Sequence, residues 1–195
     1  MKKIGLMLVI VLVSVFMVTG CGKKEYLTGK VNVEIEVENY GTIAVELDAD
    51  EAPITVTNFV NLVEDGFYDG LTFHRIIDGF MIQGGDPNGD GSGGSSRTIK
   101  GEFSSNGVDN SIDHVRGVIS MARSSLPNSA SSQFFIVQED SPHLNGEYAA
   151  FGHVTSGMEI VDAICEDVQV EDTNGTVLPE NQPVITSTNA VILGQ

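Results

Sequence analysis

The 195-residue chain carries 10 basic and 27 acidic side chains, a formal net charge of −17, and its residues are 41% hydrophobic. Such an acid surplus argues against nucleic acid as a partner and against adhesion of the protein surface to anionic lipid, since both require clustered cations. The length suits one domain with an adequate core. The two cysteines and four histidines show no metal-ligand spacing, so neither metal nor cofactor is expected.

Met1-Lys2-Lys3 is followed by an apolar run from Ile4 to Val18 and then by Thr19-Gly20-Cys21, the order of a secretory signal. The run is 15 residues long, short of the roughly 20 that a spanning helix needs. Val18-Thr19-Gly20-Cys21 resembles the bacterial lipobox. That resemblance implies a signal peptide over 1–20, acyl chains on Cys21 and anchorage at the extracytoplasmic face of the cell membrane. Residues 21–29 are then a short polar tether and 30–195 the folded domain. Loss of Lys2 and Lys3 leaves eight basic against 27 acidic side chains, a mature net charge of −19. With Cys21 lipidated, Cys165 has no partner for a disulfide; it follows Ile164 in an apolar helical pattern and reads as a buried, inert thiol.

Val31, Val33, Ile35 and Val37 alternate with polar residues, and Thr42 to Leu47 alternate again after Asn39-Tyr40-Gly41, which predicts a hairpin. Pro53 suits a first helical position, and Val56, Phe59, Val60 and Val63 at helical spacing predict a helix over 53–64 that ends before Gly66. Next comes the stretch from Phe73 to Asp86, with a turn at Asp78-Gly79 between two short strands. Alternation places Phe73, Arg75 and Ile77 on one face, Met81 and Gln83 together, and Phe80 with Ile82 on the opposite side. A guanidinium among apolar groups is costly unless something uses it. The stretch alone leaves two placements open: Arg75 with its head in water or paired to Asp78, or a cation held for function.

The loop from Asp86 to Ser96 fails as a phosphate loop, because no Gly-Lys-Ser/Thr follows its glycines. Asp86, Asn88, Asp90 and Gly91 fit calcium-loop positions 1, 3, 5 and 6, but Arg97 stands at position 12 and no helices flank the loop. Residues 99–114 read as a long connection. Strands are predicted over 118–122, 133–137 and 149–154, a helix over 158–165, an acidic segment over 166–182 with a turn at Asn174-Gly175, and a last strand over 183–193. Many short strands with two helices predict an all-β-dominated fold: a closed antiparallel eight-stranded β-barrel capped by two helices.

Four segments in order, FHRIIDGFMIQGGD, GVISMAR, PNSASSQFFI and LNGEYAAFGHV, closely resemble those of cyclophilins, the peptidyl-prolyl cis-trans isomerases. The resemblance runs from about Val33 to Leu193. It implies that Arg75 is the catalytic arginine and that Phe80, Met81, Phe135 and Leu144 form the socket for a proline ring. It further implies that Gln83 and Gln133 orient the arginine and the substrate, that the backbone at Ala122 and Arg123 lines the groove, and that Gly91 borders it. Tyr148 stands in the groove where many eukaryotic relatives carry histidine. His143 replaces their tryptophan, which makes cyclosporin binding doubtful; the position reads otherwise as a solvated loop histidine or a groove rim. The implied partners are proline-containing polypeptides. A binding module without turnover is the rival reading, and the complete set around Arg75 favours the enzyme. A serine hydrolase would need a Gly-x-Ser-x-Gly elbow, which the chain lacks.

Overall fold

The computed structural model describes residues 26–192; the expected signal peptide, Cys21 and the tether up to residue 25 lie outside them. Strand β1 (Lys30–Val37) pairs antiparallel with β2 (Gly41–Asp48), Val31 opposite Leu47 and Ile35 opposite Ile43. The apolar positions of β1 are buried while Glu34 and Glu36 stay exposed, so the alternation in sequence is the alternation in space. Asn39 turns the chain with φ +64, a left-handed conformation that asparagine tolerates better than most residues.

Helix α1 (Pro53–Glu64) buries Val56, Phe59, Val60 and Val63. Six further strands follow: β3 (Phe73–Ile77), β4 (Met81–Gly84), β5 (Val118–Met121), β6 (Phe134–Val137), β7 (Ala150–Ser156) and β8 (Ile185–Ile192). Helix α2 (Met158–Asp167) lies between the last two and runs two residues beyond its expected end. The strands form one antiparallel sheet in the order β3-β4-β6-β5-β7-β2-β1-β8.

The centre of this sheet is buried on both faces. Ile82, Ile119, Phe134, Ile136 and Phe151 join the two helices in the main core. Their strand neighbours Met81, Val118, Phe135, Val137 and Ala150 form a second apolar cluster on the other side, packed by Phe80, Leu144 and Tyr148. That is why Phe134-Phe135-Ile136-Val137 is an unbroken apolar run. A strand covered on one face would alternate. The second cluster is the floor of the site described below.

Three expectations need correction. The sheet curls into an open half-barrel and does not close. The free edge of β3 is taken by the segment after α2, through the Arg75–Thr176 bridge and the bonds Ile76 N to Gly175 O and Val177 N to His74 O. The far edge, β8, is left to meet residues 70–73 through a single bridge, Thr72–Val184, and a few flanking backbone bonds. Phe73 does not share a face with Ile77: it lies in the main core with Ile76, because the register shifts between Phe73 and Arg75 and resets the alternation. Phe80 sits in the turn one residue before β4, escapes alternation altogether and joins Met81 in the outer cluster.

Cys165 is 7% exposed on α2, and burial pushes its thiol up to about 12, as an inert core cysteine requires.

Candidate active site

The β3–β4 hairpin sets Arg75 directly opposite Gln83, and the guanidinium Nη1 donates to Gln83 Oε1 at 3.1 Å. Arginine can only donate, so the orientation of each following amide is fixed in turn. Gln83 Nε2 donates to Gln133 Oε1 at 2.9 Å, and Gln133 Nε2 donates to the carbonyls of Gly93 at 2.7 Å and Gly91 at 3.1 Å. On its other side Arg75 Nε donates to the Asn174 carbonyl at 2.8 Å and Nη2 to Asn174 Oδ1 at 3.4 Å. Three of the five guanidinium donors are thus occupied and two remain. Asp78, the alternative partner in sequence, instead accepts from Gln138 Nε2 at 3.2 Å. Burial lowers the Arg75 pKa from its ordinary value, opposed by Tyr148 and Asp172; arginine stays charged at neutral pH regardless.

Beside the guanidinium lies an apolar groove of about 360 Å³ walled by Phe80, Met81, Phe135, Leu144 and Tyr148. The Phe135 and Tyr148 rings meet edge to face, centroids 5.9 Å apart. Exposed His143 borders the groove with its ring centroid 5.5 Å from that of Phe80, which makes it a rim residue. Ala122 and Arg123 line both this groove and an adjoining cavity of about 250 Å³ that Gln133 and Gly91 border. All eleven residues implied by the resemblance, from Arg75 to Tyr148, therefore surround one continuous surface. Gly91 has φ +88, and its amide donates to the buried Asp86 carboxylate at 2.6 Å. Asp86 also receives the amides of Asn88 and Asp90, so the residue that resembled a calcium ligand is the hub of its own loop.

Several contributors carry no sequence signal that links them to the site. Asn174 lies 99 residues from Arg75. The Arg123 side chain, beyond its backbone, is clamped between the rings of Tyr148 at 4.7 Å and Phe103 at 5.1 Å, with Nε donating to the Glu147 carbonyl at 2.9 Å; the cation over its face holds the Tyr148 ring. Beneath Phe135 the ring of His114 is stacked at 6.1 Å. Asn145 Oδ1 takes the His114 backbone amide at 2.7 Å and lies 3.1 Å from Nδ1. Because Asn145 Nδ2 is donating to Asp113, Nδ1 carries the proton and Nε2 accepts from Ser120 Oγ at 2.9 Å. This Ser-His-Asn string is no nucleophile site, since Ser120 is fully buried; it props the floor under Phe135.

Residues 32–190 match the family described as cyclophilin type peptidyl-prolyl cis-trans isomerase/CLD. The chain is 50% identical to peptidyl-prolyl cis-trans isomerase B of Bacillus subtilis over 123 residues, 63% of this chain and 82% of that protein. It is 47% identical to a peptidyl-prolyl cis-trans isomerase of Helicobacter pylori over 128 residues, 65% and 76% of the two chains. The fold superposes on the crystal structure of a cyclophilin type isomerase from Cryptosporidium parvum with TM-score 0.73 and 33% identity, covering 85% of this chain and 100% of that one. The same protein solved in the presence of the dipeptide Ala-Pro gives TM-score 0.71 at 35% identity, with 84% and 99% covered. The chain belongs to the cyclophilin-type peptidyl-prolyl cis-trans isomerases.

Proposed function

We propose that this isomerase is tethered by acyl chains on Cys21 to the outer face of the cytoplasmic membrane, where it accelerates Xaa-Pro rotation in polypeptides folding there. The N-terminal order of charge, short apolar run and Val18-Thr19-Gly20-Cys21 supports the tether, with 30–195 as the mature catalytic domain. The Ala-Pro dipeptide used with the Cryptosporidium protein supports proline-containing polypeptides as substrates.

Rotation about a peptide bond costs about 18–20 kcal/mol because the nitrogen lone pair is delocalised. Before proline the two planar forms differ by only about 0.5–1 kcal/mol, and exchange takes tens to hundreds of seconds. A catalyst need only favour the twisted amide over both planar forms. At the twist the nitrogen regains its lone pair, and the two unspent donors of Arg75 are suited to stabilise it. Phe80, Met81, Phe135 and Leu144 hold the proline ring, with Tyr148 closing the groove. Gln83 and Gln133 orient the guanidinium and the substrate backbone, which runs along Ala122, Arg123 and Gly91. No bond is made or broken and no proton changes owner.

The observation that carries this reading is a guanidinium fixed by Asn174 and Gln83 at the edge of an apolar groove. Raising exchange to about 1,000 per second removes about 7 kcal/mol from the barrier, and one donor in a dry site supplies about 3–4; binding must supply the rest. Arg75→Ala is accordingly expected to lower turnover of an Xaa-Pro peptide by a few hundredfold in a coupled isomerisation assay. Wild-type turnover in that variant would overturn the assignment. Mass spectrometry of the membrane fraction tests the tether: the N-terminal peptide should begin at an acylated Cys21, and an unmodified Cys21 within an intact leader refutes it.

A further inference from the structure

Strand β3, the loop after Asp86 and the segment 174–179 enclose another cavity, of about 430 Å³, which shares Arg75 and Gln83 with the proline groove. That volume falls in the range of roughly 300–1,000 Å³ typical of ligand sites. Two of its walls are pinned together by Gln182, whose Nε2 donates to the Gly89 carbonyl at 2.8 Å and the Val177 carbonyl at 2.9 Å. The cavity is therefore preformed.

His74 borders it. This residue is only 4% exposed, yet neither ring nitrogen has a hydrogen-bond partner, and among the described residues these are the buried side-chain polar atoms left without one. Burying a polar atom unpaired is costly, and native structures almost always satisfy it. Gly91, on the cavity wall, lies over the imidazole edge: an added Cβ there would stand 3.8 Å from His74 Nε2, in van der Waals contact, so glycine is the thinnest cover this edge could have. Desolvation disfavours the charged ring, against the pull of Asp86 and Asp90, so the imidazole offers one N–H donor and one acceptor. Of the uncharged side-chain groups, a hydroxyl can both donate and accept through one atom, and so serves either ring nitrogen. Leu178 and Pro179 add an apolar part to the wall, while the Val177 side chain is buried in the main core.

We propose that this cavity is a second recognition pocket of the enzyme, which takes the side chain of a residue flanking the substrate proline and prefers tyrosine, its ring against Leu178 and Pro179 and its hydroxyl reaching His74 past Gly91. Consecutive Cα atoms lie about 3.8 Å apart, so a neighbour of a proline seated in the groove can reach across Arg75. The inference rests on the isomerase reading above.

The test is kcat/KM of the wild-type protein on peptides carrying tyrosine, phenylalanine or alanine immediately before the proline in one series and immediately after it in another. At one of the two positions tyrosine should exceed phenylalanine about fivefold and phenylalanine should exceed alanine severalfold. Leu178→Ala, at an exposed position, should flatten the phenylalanine-over-alanine preference, and His74→Phe should abolish the tyrosine-over-phenylalanine preference alone. Because His74 is buried, nitrogen-15 chemical shifts of its ring in the wild-type protein provide a second reading: saturation with the tyrosine peptide should move them and saturation with the phenylalanine peptide should not. All three residues turned over within twofold of one another in both series would sink the pocket while leaving the isomerase intact. So would a selectivity that survives Leu178→Ala without a His74 shift. Absence of turnover on every peptide, alanine included, would instead refute the isomerase reading itself.

Discussion

Arg75 is held from two sides, and the two restraints differ in strength. The bond to Gln83 belongs to a relay that ends on the Gly91 and Gly93 carbonyls, so removing Gln83 cuts Arg75 off from that anchor and takes the donor from Gln133 Oε1. The Asn174 side chain contributes only the long 3.4 Å contact, while the shorter bond at 2.8 Å goes to its backbone carbonyl and survives substitution. Gln83→Ala is therefore expected to lower kcat/KM tenfold or more, and Asn174→Ala no more than about threefold, both read in the peptide isomerisation assay. The reverse order would mean that the relay does not position the guanidinium. This asymmetry marks what the sequence reveals at the scale of a residue. The partnership of Arg75 with Gln83 is implied by the family resemblance but not by the turn: Asp78-Gly79 alone would set Arg75 opposite Ile82, and it is the inclusion of Phe80 in the turn that brings Gln83 into register. Asn174 is not readable at all, because nothing local ties a turn in the acidic segment to a strand 99 residues earlier.

At the scale of elements, α1 shows a helix whose start is encoded in two places. Pro53 at the first position is visible in sequence, but Ala52 offers no side-chain cap. The cap arrives from the long connection: the Glu102 carboxylate, 2% exposed, accepts from Ile54 N at 3.1 Å, Thr55 N at 2.8 Å and Thr55 Oγ1 at 2.7 Å. An anion on the helix N-terminus also meets the positive end of its dipole. Glu102→Ala strands two backbone amides and a hydroxyl in a buried setting and should cost about 3 kcal/mol, or about 6–12 °C in Tm for a domain of this size. Thermal unfolding followed by circular dichroism checks this, and a shift below 2 °C would show that solvent replaces the cap. The strands were readable for a related reason. Their two-faced burial makes continuous apolar runs such as Phe134 to Val137, while the one-faced β1 and β2 alternate. Closure was not readable, because it depends on which segment captures the edge of β3, and the segment that does so, 174–177, carries no strand pattern.

For the molecule as a whole, the two buried imidazoles link stability to pH. Desolvation holds His74 below the usual histidine pKa, against the attraction of Asp86 and Asp90. It does the same to His114, against its bond to Asn145 and the charge of Asp113. Both rings sit at or below 4% exposure, so the folded chain keeps them neutral where the unfolded chain protonates. A depressed histidine pKa means that stability is whole above the unfolded value of about 6.5 and is lost as pH falls from there toward the folded values. Each group contributes at most about 1.4 kcal/mol per pH unit within that window. The chain's −17 charge acts in the opposite direction, since protonating carboxylates relieves self-repulsion, but this sets in near pH 4, below the histidine window. Urea midpoints should thus fall between pH 7.5 and pH 5.5. His114→Asn, whatever its own stability, should show a shallower fall, because one of the two titrating rings is gone. A midpoint that holds constant or rises as pH drops across this window would mean that the folded protein accepts protons on these rings as readily as the unfolded chain, and that the prop beneath Phe135 does not depend on the neutrality of His114.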